Sequence, residues 1–444
     1  MARDMMFNTN ASGPWGAAKV VAPLMYDAID DVGYPTIAVA ADGTAYVSYH
    51  DGVINSMEIL LWEYSQGRFS EMFANLSETQ GGSSAYVALA VSPVDQYAYA
   101  VWMEGTFFEY DLAFRWRNPK TGLWEPAVFL PLQPGTPKYL YQVNNLFIDA
   151  QGTAHLAYIT RLYGSQVWYT KNPTPRNVNA WTEPYLVSPN TGLPWTFPKI
   201  TADMEGDVYT VWHQIWDGNE EIMLRKTVNG QWQDVQNISQ TPGPSENPTI
   251  AVDPTTKEMY IAWQERLGGT NWDIYLKSYE LQRGAAEKQW LGPINFSNSP
   301  GQSGDPSLRA QANGDVHMVY FDNLNNDDGR AEIMYTAKIK QRLYAPQNLS
   351  VQTIVNKILF FQEKINTLTF DKNALNDETL LGGYKLYRKK ADESDDAYAL
   401  LATLDLSTLQ YVDSGLPVNQ KYAYVVSAVD RDGQEARSNV VIEN

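Results

Sequence analysis

Nine polar and aromatic side chains are candidates for contacting a ligand. They combine imidazole, carboxylate, guanidinium and large aromatic groups, and they are His50, Asp51, Arg161, Tyr163, Trp195, His213, Trp216, Arg266 and Trp272. Aromatic faces beside planar polar groups suit sugar rings, whose C–H faces are apolar and whose hydroxyls need oriented donors and acceptors. The combination predicts a binding site for a glycan or for a cell-surface protein.

No metal, cofactor or catalytic residue is assigned from these types. His50 and His213 share one position of a repeated segment, but a third histidine or a fixed carboxylate partner is missing from the pattern. A pair of carboxylates about 5–10 Å apart could hydrolyse a glycosidic bond. With 51 Asp and Glu residues in the chain, spacing alone does not select that pair.

Acids that recur at one repeat position have a structural interpretation. Asp51, Glu104, Glu265 and Asp322 recur in this way and are expected to accept backbone N–H bonds from the next loop. His155 and His317 stand where other copies have Tyr, and we expect them to be packed. Charged residues that do not recur, such as Arg161 and Arg266, are better candidates for a ligand contact.

The elements that position these residues follow an internal repeat. Residues 237–248 are echoed by residues 295–306, 58 positions later. Large aromatics mark six copies at intervals of 51 to 58 residues: Trp15, Phe69, Trp124, Trp181, Trp232 and Trp290. Each copy contains an apolar run, a Gly- or Asp-containing turn and alternating β-branched and aromatic segments, which predict four short strands. Repeated four-stranded units of this length are typical of propeller blades.

The two ends of the repeat predict how the ring closes. The sixth copy stops without its Trp-led fourth strand, and residues 15–21 supply a matching segment at the other end of the chain. Borrowing this strand would leave no unpaired edge between the first and last blades. The sequence therefore predicts an all-β fold with a six-bladed β-propeller over 13–341, closed by an N-terminal strand.

The repeated phrase resembles a known family. Ser-x-Ser/Thr-Pro-Gly-x-Ser-x-Asn/Asp-Pro, followed by Asp/Gly-x-x-Tyr/His-x-x-Trp/Tyr-x-Asp/Glu, is similar to the sialidase-superfamily (BNR-like) propellers of bacterial surface proteins. The resemblance covers roughly 13–341. The Phe/Tyr-Arg-Ile/Leu-Pro motif and the Ser-x-Asp-x-Gly-x-x-Trp boxes of true sialidases are absent, so typical sialidase activity is not expected.

The last hundred residues predict a second domain, 344–444. Gly415-Leu416-Pro417, followed by the alternating run from Tyr422, resembles the end of a fibronectin type III β-sandwich. Phe370 stands where such domains commonly have Trp. Tyr422 is expected to form a tyrosine-corner-type contact.

The amino-acid composition limits the kinds of partner that are expected. The net charge of −18 argues against nucleic acid and anionic membrane as partners. There are no cysteines, and no apolar run approaches the ~18 residues of a membrane-spanning helix. The first ten residues lack the apolar core of a signal peptide. The expected location is extracellular or on the cell surface, with the leader absent from this chain, and the expected state is a monomer.

Three functional hypotheses follow. The preferred one is an extracytoplasmic, non-catalytic binding or adhesion protein that recognises a glycan or surface partner at the propeller mouth. The first alternative is a carbohydrate-active enzyme, a glycoside hydrolase or polysaccharide lyase, that uses unrepeated acids or His50 and His213. The second is a structural subunit of a surface assembly. A cluster of unrepeated charged residues with desolvated carboxylates would favour the enzyme, and a shallow aromatic patch would favour binding.

Overall fold

The computed structural model is almost entirely β. It describes residues 5–7, 19–22, 33–53, 56–78, 82–106, 109–140, 145–161, 164–188, 190–193, 195–266, 271–281, 287–311, 315–323, 332–338, 345–358, 361–373, 376, 381–431, 433 and 435–443. Their only helical segments are two 3₁₀ turns, Val178–Ala180 and Asp395–Ala397, so none of these residues forms a helix that could span a bilayer. The chain divides into two compact units, one holding Met1–Leu281 with Lys288–Ile339 and the other holding Gln282–Glu287 with Lys340–Asn444.

Among its described residues, the first unit contains six antiparallel sheets of three to five strands, each built from one contiguous stretch of chain and numbered here in chain order. A separate hairpin pairs β1 (Met5–Phe7) with β2 (Lys19–Ala22). The strands of sheets 1 to 3 are β3 (Gly33–Val39), β4 (Ala45–Val53), β5 (Ser56–Ser65), β6 (Arg68–Phe69) and β7 (Ala74–Asn75); β8 (Ser83–Val91), β9 (Ala98–Thr106), β10 (Glu109–Arg117) and β11 (Val128–Phe129); and β12 (Lys138–Tyr139), β13 (Leu146–Ile148), β14 (Ala154–Thr160), β15 (Gln166–Asn172) and β16 (Tyr185–Ser188).

Sheets 4 to 6 repeat the same plan. Their strands are β17 (Lys199–Ala202), β18 (Val208–Trp216), β19 (Asn219–Val228), β20 (Gln231–Trp232) and β21 (Gln236–Asn237); β22 (Ser245–Val252), β23 (Met259–Glu265), β24 (Asp273–Glu280) and β25 (Gln289–Asn295); and β26 (Ser303–Ala310), β27 (Val316–Asp322) and β28 (Glu332–Lys338). In sheets 2, 5 and 6, successive strands of the chain pair as neighbours, whereas in sheets 1, 3 and 4 two short strands share one neighbour. This up-and-down order follows from the short turns that the sequence places between alternating segments.

Consecutive sheets contact each other through one strand of each, called here the inner strand, which is the first strand of every sheet except sheet 3, where it is β13. Inner strands β3, β8, β13, β17, β22 and β26 each contact the next in the series, and the apolar residues between them form the buried clusters of the unit. Lys199 of sheet 4 interacts electrostatically with Asp305 and Arg309 of sheet 6. This interaction places the inner strand of sheet 6 near that of sheet 4, although the two sheets are not neighbours in the series.

The repeated aromatic and the polar residue two positions later form a latch inside the sheets. Trp102 Nε1 donates to Glu104 (2.7 Å), Trp212 Nε1 donates to Gln214 (2.8 Å), and Trp263 Nε1 donates to Glu265 (2.8 Å). Serine hydroxyls donate to the same acceptors; they belong to Ser84, Ser188 and Ser245. Glu104 and Glu265 therefore accept hydrogen bonds from indole and hydroxyl groups, whereas backbone N–H partners were expected.

The phrase that first reveals the repeat closes each sheet. The hydroxyls of Ser239 and Ser297 donate to the acids that open the third strands, Glu221 and Asp273, and the same hydroxyls accept backbone N–H bonds from the residues that follow those acids. Ser77 makes the same pair of contacts in sheet 1. The Asn-x-Ser part of the phrase is thus a hydrogen-bonded clasp between strands.

The predicted closing strand is not paired as expected. Lys19–Ala22, the described part of that segment, pairs with Met5–Phe7, and sheet 6 contains three described strands. Trp15 itself lies outside the described residues. The sequence pattern correctly predicts that this segment forms a strand, but it does not determine the partner. A short apolar strand can pair equally well with a segment close to it in the chain.

The second unit is a two-sheet arrangement. Its strands are β29 (Gln347–Ile358), β30 (Phe361–Asp371), β31 (Leu381–Lys390), β32 (Ala399–Leu404), β33 (Gln410–Leu416), β34 (Tyr422–Asp430), β35 (Glu435–Arg437) and β36 (Val441–Ile442). One sheet has the order β29-β30-β33 and the other has β32-β31-β34-β35, with β36 also on β34. Phe370 packs on Tyr384 in the core between them. The Tyr422 ring lies under Arg388, and the hydroxyl of Tyr424 donates to Asp413 (2.7 Å). The expected tyrosine-corner contact of Tyr422 stays a prediction.

Candidate functional site

One position of the inner strands forms a rim of unusual residues. Tyr34, Tyr86, Asn247 and Asp305 sit at β-bulges that begin sheets 1, 2, 5 and 6, with φ angles of 52°, 55°, 49° and 47°. Phe197 has the corresponding place before Pro198 in sheet 4. Left-handed backbone is costly for residues other than glycine and concentrates at functional sites. We call these five residues the rim.

Three carboxyl groups meet at the rim between sheets 4, 5 and 6. Glu246 lies one residue before Asn247, and its carboxyl group is hydrogen-bonded to that of Glu220, on the third strand of sheet 4. Asn247 Nδ2 donates to Asp305 Oδ1 (3.1 Å) and to Gln264 Oε1 (3.0 Å), and Gln264 Nε2 lies 3.5 Å from Glu246 Oε2. We call Glu220, Glu246 and Asp305 the carboxyl cluster.

The electrostatics of the cluster keep a proton at the rim. Burial, followed by the hydrogen bond to Glu220, raises the pKa of Glu246 to about 7, although Arg266 opposes the shift. Burial also raises the pKa of Asp305, and Lys199 opposes that change. Near neutral pH, Glu246 can therefore hold a proton that it could donate.

Two cationic or basic groups lie beneath the rim. Lys199 is almost fully buried, and burial lowers its pKa to about 7. Burial, followed by the charge of Lys199, lowers the pKa of His213 to about 3, so His213 is neutral at neutral pH. Its ring packs on Phe197 (5.2 Å between centroids). Among the described residues, no three His, Asp or Glu side chains converge as ligands for a metal ion.

The predicted histidines lie under the rim rather than on it. His50 is 2% exposed, and its Nδ1 accepts the backbone N–H of Tyr86 at 3.4 Å. The rings of Tyr34 and Tyr86 lie against it, each with its centroid 5.6 Å from the imidazole. His213 is similarly buried. Both side chains therefore support rim aromatics instead of presenting a nitrogen to the surface.

The predicted Arg and Trp residues pair with each other. The guanidinium of Arg161 lies 3.5 Å from the centre of the Trp195 ring, and that of Arg266 lies 5.0 Å from the Trp272 ring. Trp216 is exposed at the end of β18. These residues flank the carboxyl cluster on sheets 3, 4 and 5.

Asp51 and Tyr163 are the remaining predicted site residues, and His155 was predicted to be packed. Asp51 lies opposite Glu58 in the register of β4 and β5. Together with burial, Asp51 raises the pKa of Tyr49. Tyr163 lies outside the described residues. His155, expected to be packed, is buried and bonded to Asp149 (3.0 Å) and Tyr169 (2.9 Å).

Glu246 was missed as a site residue, although a signal for it exists in the sequence. At its repeat position the other sheets have Gly33, Ala85 and Gly304, aligned by their pairing with the second strand. Glu246 is thus an unrepeated acid. Lys199 is equally exceptional, because the corresponding residues Thr36, Ala88, Thr249 and Ser307 are small or neutral. Aligning the inner strands position by position would have identified both.

A tight backbone contact holds the strand that carries Glu246. A Cβ atom at Gly243 would lie 2.0 Å from the carbonyl oxygen of Arg266, and the Arg266 N–H donates to the Pro244 carbonyl (3.2 Å). We expect Gly243→Ala to destabilise the fold by about 1–3 kcal/mol, because the backbone must move to relieve the overlap. Thermal unfolding measures this cost.

Gly67→Ala is the matched control for that substitution. Gly67 has nothing within 4 Å of a built Cβ and has a φ of +82°, so its substitution carries a conformational cost of about 1 kcal/mol without a clash. Equal unfolding temperatures for Gly243→Ala and the wild type would contradict the proposed contact.

Comparisons with known proteins identify structural likeness at low identity. No family model and no curated protein matches the sequence. The chain is similar to the Hadza microbial sialidase Hz136 (10% identity, TM-score 0.46), covering 69% of this chain and 65% of that one. It is also similar to the NanB sialidase from Streptococcus pneumoniae (9% identity, 69% and 68% covered, TM-score 0.46). The polysaccharide lyase Uly1 shares 12% identity, with 86% and 93% covered and a TM-score of 0.34. The chain thus spans slightly under two thirds of the Hz136 chain.

Proposed function

We propose that the protein is a carbohydrate-active enzyme that cleaves glycosidic bonds at the carboxyl cluster. The proposal is carried by two unrepeated acids at neighbouring bulges, Glu246 and Asp305, which are linked through Asn247 and Gln264. Burial, followed by the neighbouring Glu220 carboxyl group, raises the pKa of Glu246 to about 7. A general acid needs a pKa near the working pH. A binding site has no need of such a group. This favours an enzyme over the non-catalytic binding protein expected from the sequence.

The roles follow from the two kinds of carboxyl. Protonated Glu246 would donate its proton to the leaving glycosidic oxygen as the C–O bond breaks. Ionised Asp305 would accept a proton from the water that attacks the sugar carbon, so that one water is added across the bond. Glu220 would act as a positioning residue that holds the proton on Glu246 through their hydrogen bond.

A hydrolysis screen tests this function. The wild-type chain is incubated with soluble arabinan, xylan and polygalacturonate, and with sialyl-lactose, and new reducing ends and unsaturated products are measured separately. Release of reducing ends from one of these, lost in Glu246→Gln, supports the proposal. Unsaturated products would identify a lyase instead. Absence of cleavage with retained binding to any polymer would restore the binding hypothesis.

We further propose that the six sheets are blades of one closed propeller. The faces of sheets 1 and 6 that would meet are apolar but uncovered, with Val39 57% and Val319 38% exposed. Apolar surface of this kind is expected to be buried against a partner surface. The proposal brings these two faces together.

Cross-linking tests the closure, since the chain has no native cysteine. We expect Val39→Cys with Val319→Cys to be joined by a short bismaleimide within one chain. Val39→Cys with Val228→Cys, on sheet 4, is the control and should remain unlinked because half the ring separates the two sites. Equal cross-linking of both pairs, or of neither, would contradict a closed ring.

The remaining assignments complete the proposal. The second unit is proposed to be a fibronectin type III domain, supported by its three- and four-stranded sheets and by Phe370 in the core. An extracellular or cell-surface location and a monomeric state are proposed with it, since an acidic chain that acts on polysaccharides would meet them outside the cell. Size-exclusion chromatography with light scattering measures the state.

A further inference from the structure

We propose that the site takes a polysaccharide chain that crosses three sheets, and that the enzyme cuts within the chain rather than at its end. This inference rests on the proposed function. It starts from one register position, the residue after the recurring polar residue of the second strand. That position holds Arg161 in sheet 3, Ile215 in sheet 4 and Arg266 in sheet 5. A common register places these side chains at similar heights beside the rim.

Each of the three positions presents a tryptophan. Arg161 holds Trp195, which is 41% exposed, and Arg266 holds Trp272. Trp216 follows Ile215 directly and is 43% exposed. A cation against one face of an indole fixes the ring and leaves the other face for a ligand. Two of these tryptophans are exposed and Trp272 is partly exposed. Large aromatic side chains grouped at one level of the surface are typical of an interaction site.

The tryptophans of sheets 3 and 4 are held in one rigid patch. The backbone N–H of Ile215 donates to the Thr191 carbonyl (2.7 Å), which joins the loop leading to Trp195 to the hairpin that carries Trp216. Gly192 lies so close to Ile215 that an added Cβ would be 2.9 Å from it. The same hairpin carries Glu220, whose register partner is Ile215. Trp195 and Trp216 are therefore fixed relative to the carboxyl cluster.

Trp272 is anchored on the other side of the cluster. Its backbone N–H donates to Gln302 (3.0 Å), and its carbonyl accepts from Ser303 (2.8 Å) at the start of the inner strand that carries Asp305. In the order of the sheets, Trp195 and Trp216 therefore come before the strand that carries Glu246, and Trp272 comes after it. Binding on both sides of the scissile bond requires sugar units on both sides, which is the arrangement of an enzyme that cuts internally.

Chain-length dependence tests the inference. End-labelled ladders of arabinan, xylan and polygalacturonate oligosaccharides, from dimer to octamer, are titrated against Glu246→Gln, alone and combined with Trp195→Ala, Trp216→Ala or Trp272→Ala. We expect affinity to rise with chain length in the parent, and each tryptophan substitution to lower octamer affinity about 2- to 10-fold while leaving the dimer unchanged. Leu123→Ala, an exposed residue at the opposite end of the sheets, is the control.

Product patterns and binding separate this inference from the proposed function. In the wild-type background, early products of mixed length support internal cleavage, whereas release of one terminal unit overturns it. If the tryptophan variants bind the octamer as tightly as Leu123→Ala does, the tryptophans do not bind the polysaccharide. The proposed cleavage at the carboxyl cluster would be unaffected by that result. Length-dependent binding without any cleavage overturns the enzyme and retains the platform for a polysaccharide.

Discussion

Replacing Glu246 by Gln is expected to lower the rate of glycosidic cleavage by about 10²- to 10⁴-fold, the range that a general acid contributes. Glutamine keeps the size of the side chain and the hydrogen bond to Glu220 but has no acidic proton to give to the leaving oxygen. The rate of reducing-end release from the most active polymer measures the loss. A variant that retains activity within about tenfold of the wild type would remove Glu246 from the mechanism.

The pH dependence of activity is a second test of the role of Glu246. Activity requires protonated Glu246, so it should fall as the pH rises through about 7, the pKa of that carboxyl. At low pH, activity should fall as Asp305 becomes protonated. This fall should occur at a higher pH than for an ordinary aspartate, because burial raises the pKa of Asp305. Glu220→Gln removes a cause of the raised pKa of Glu246, and its alkaline limb should move to lower pH. An unchanged limb would show that Glu220 does not hold the proton.

The free energy of unfolding of Glu246→Gln shows whether its loss of activity arises from the chemistry or from a less stable fold. The ordinary pKa of Glu246 is 4.5 and its folded value is about 7, so between these values the folded chain holds a proton that the unfolded chain has lost. The folded state therefore loses stability as the pH rises through this window. Glu246→Gln should be more stable than the wild type by about 1–2 kcal/mol at pH 8, after allowance for solvent screening, and should show little difference at pH 4.

The repeat made the sheets predictable, because one period fixes several strands at once. The latch of Trp263 with Glu265 recurs in sheets 2 and 4, so its residues appear in the sequence as regularly spaced pairs. The same regularity concealed Glu246. Glu246 breaks the pattern at the inner strands, where the aligned residues are Gly33, Ala85 and Gly304.

Contacts between different sheets could not be predicted from the sequence. The bond between Glu246 and Glu220 joins residues on different sheets, and the electrostatic contact of Lys199 with Asp305 joins sheets that are not adjacent in the chain. Strand type follows from local alternation, but such contacts depend on how far each sheet is rotated against the next. The pairing of Lys19–Ala22 with Met5–Phe7 shows the same limit, since alternation predicts a strand and leaves its partner open.

Replacing Trp263 by Ala is expected to destabilise the first unit by about 3–5 kcal/mol, the cost of emptying a large buried site. Trp263 is fully buried, and its indole N–H donates to Glu265, which also accepts from Ser245 (2.6 Å) and Thr241 (2.8 Å). Loss of the indole leaves a cavity and removes one of the three donors that stabilise a buried carboxylate. The shift in the denaturant midpoint measures the effect.

Two comparisons separate packing from hydrogen bonding in that result. Trp195→Ala makes the same change at an exposed site and should shift stability by less than about 1 kcal/mol. Trp263→Phe fills much of the cavity but still lacks the N–H, so it should cost about 1–3 kcal/mol. Because Ser245 precedes Glu246 on the same strand, loosening the latch should also move the carboxyl pair, and the alkaline limb of activity should shift in Trp263→Phe. If Trp263→Ala were as stable as Trp195→Ala, the latch would not hold the sheets together, and the position of Glu246 would have to be fixed by the tight contact at Gly243 alone.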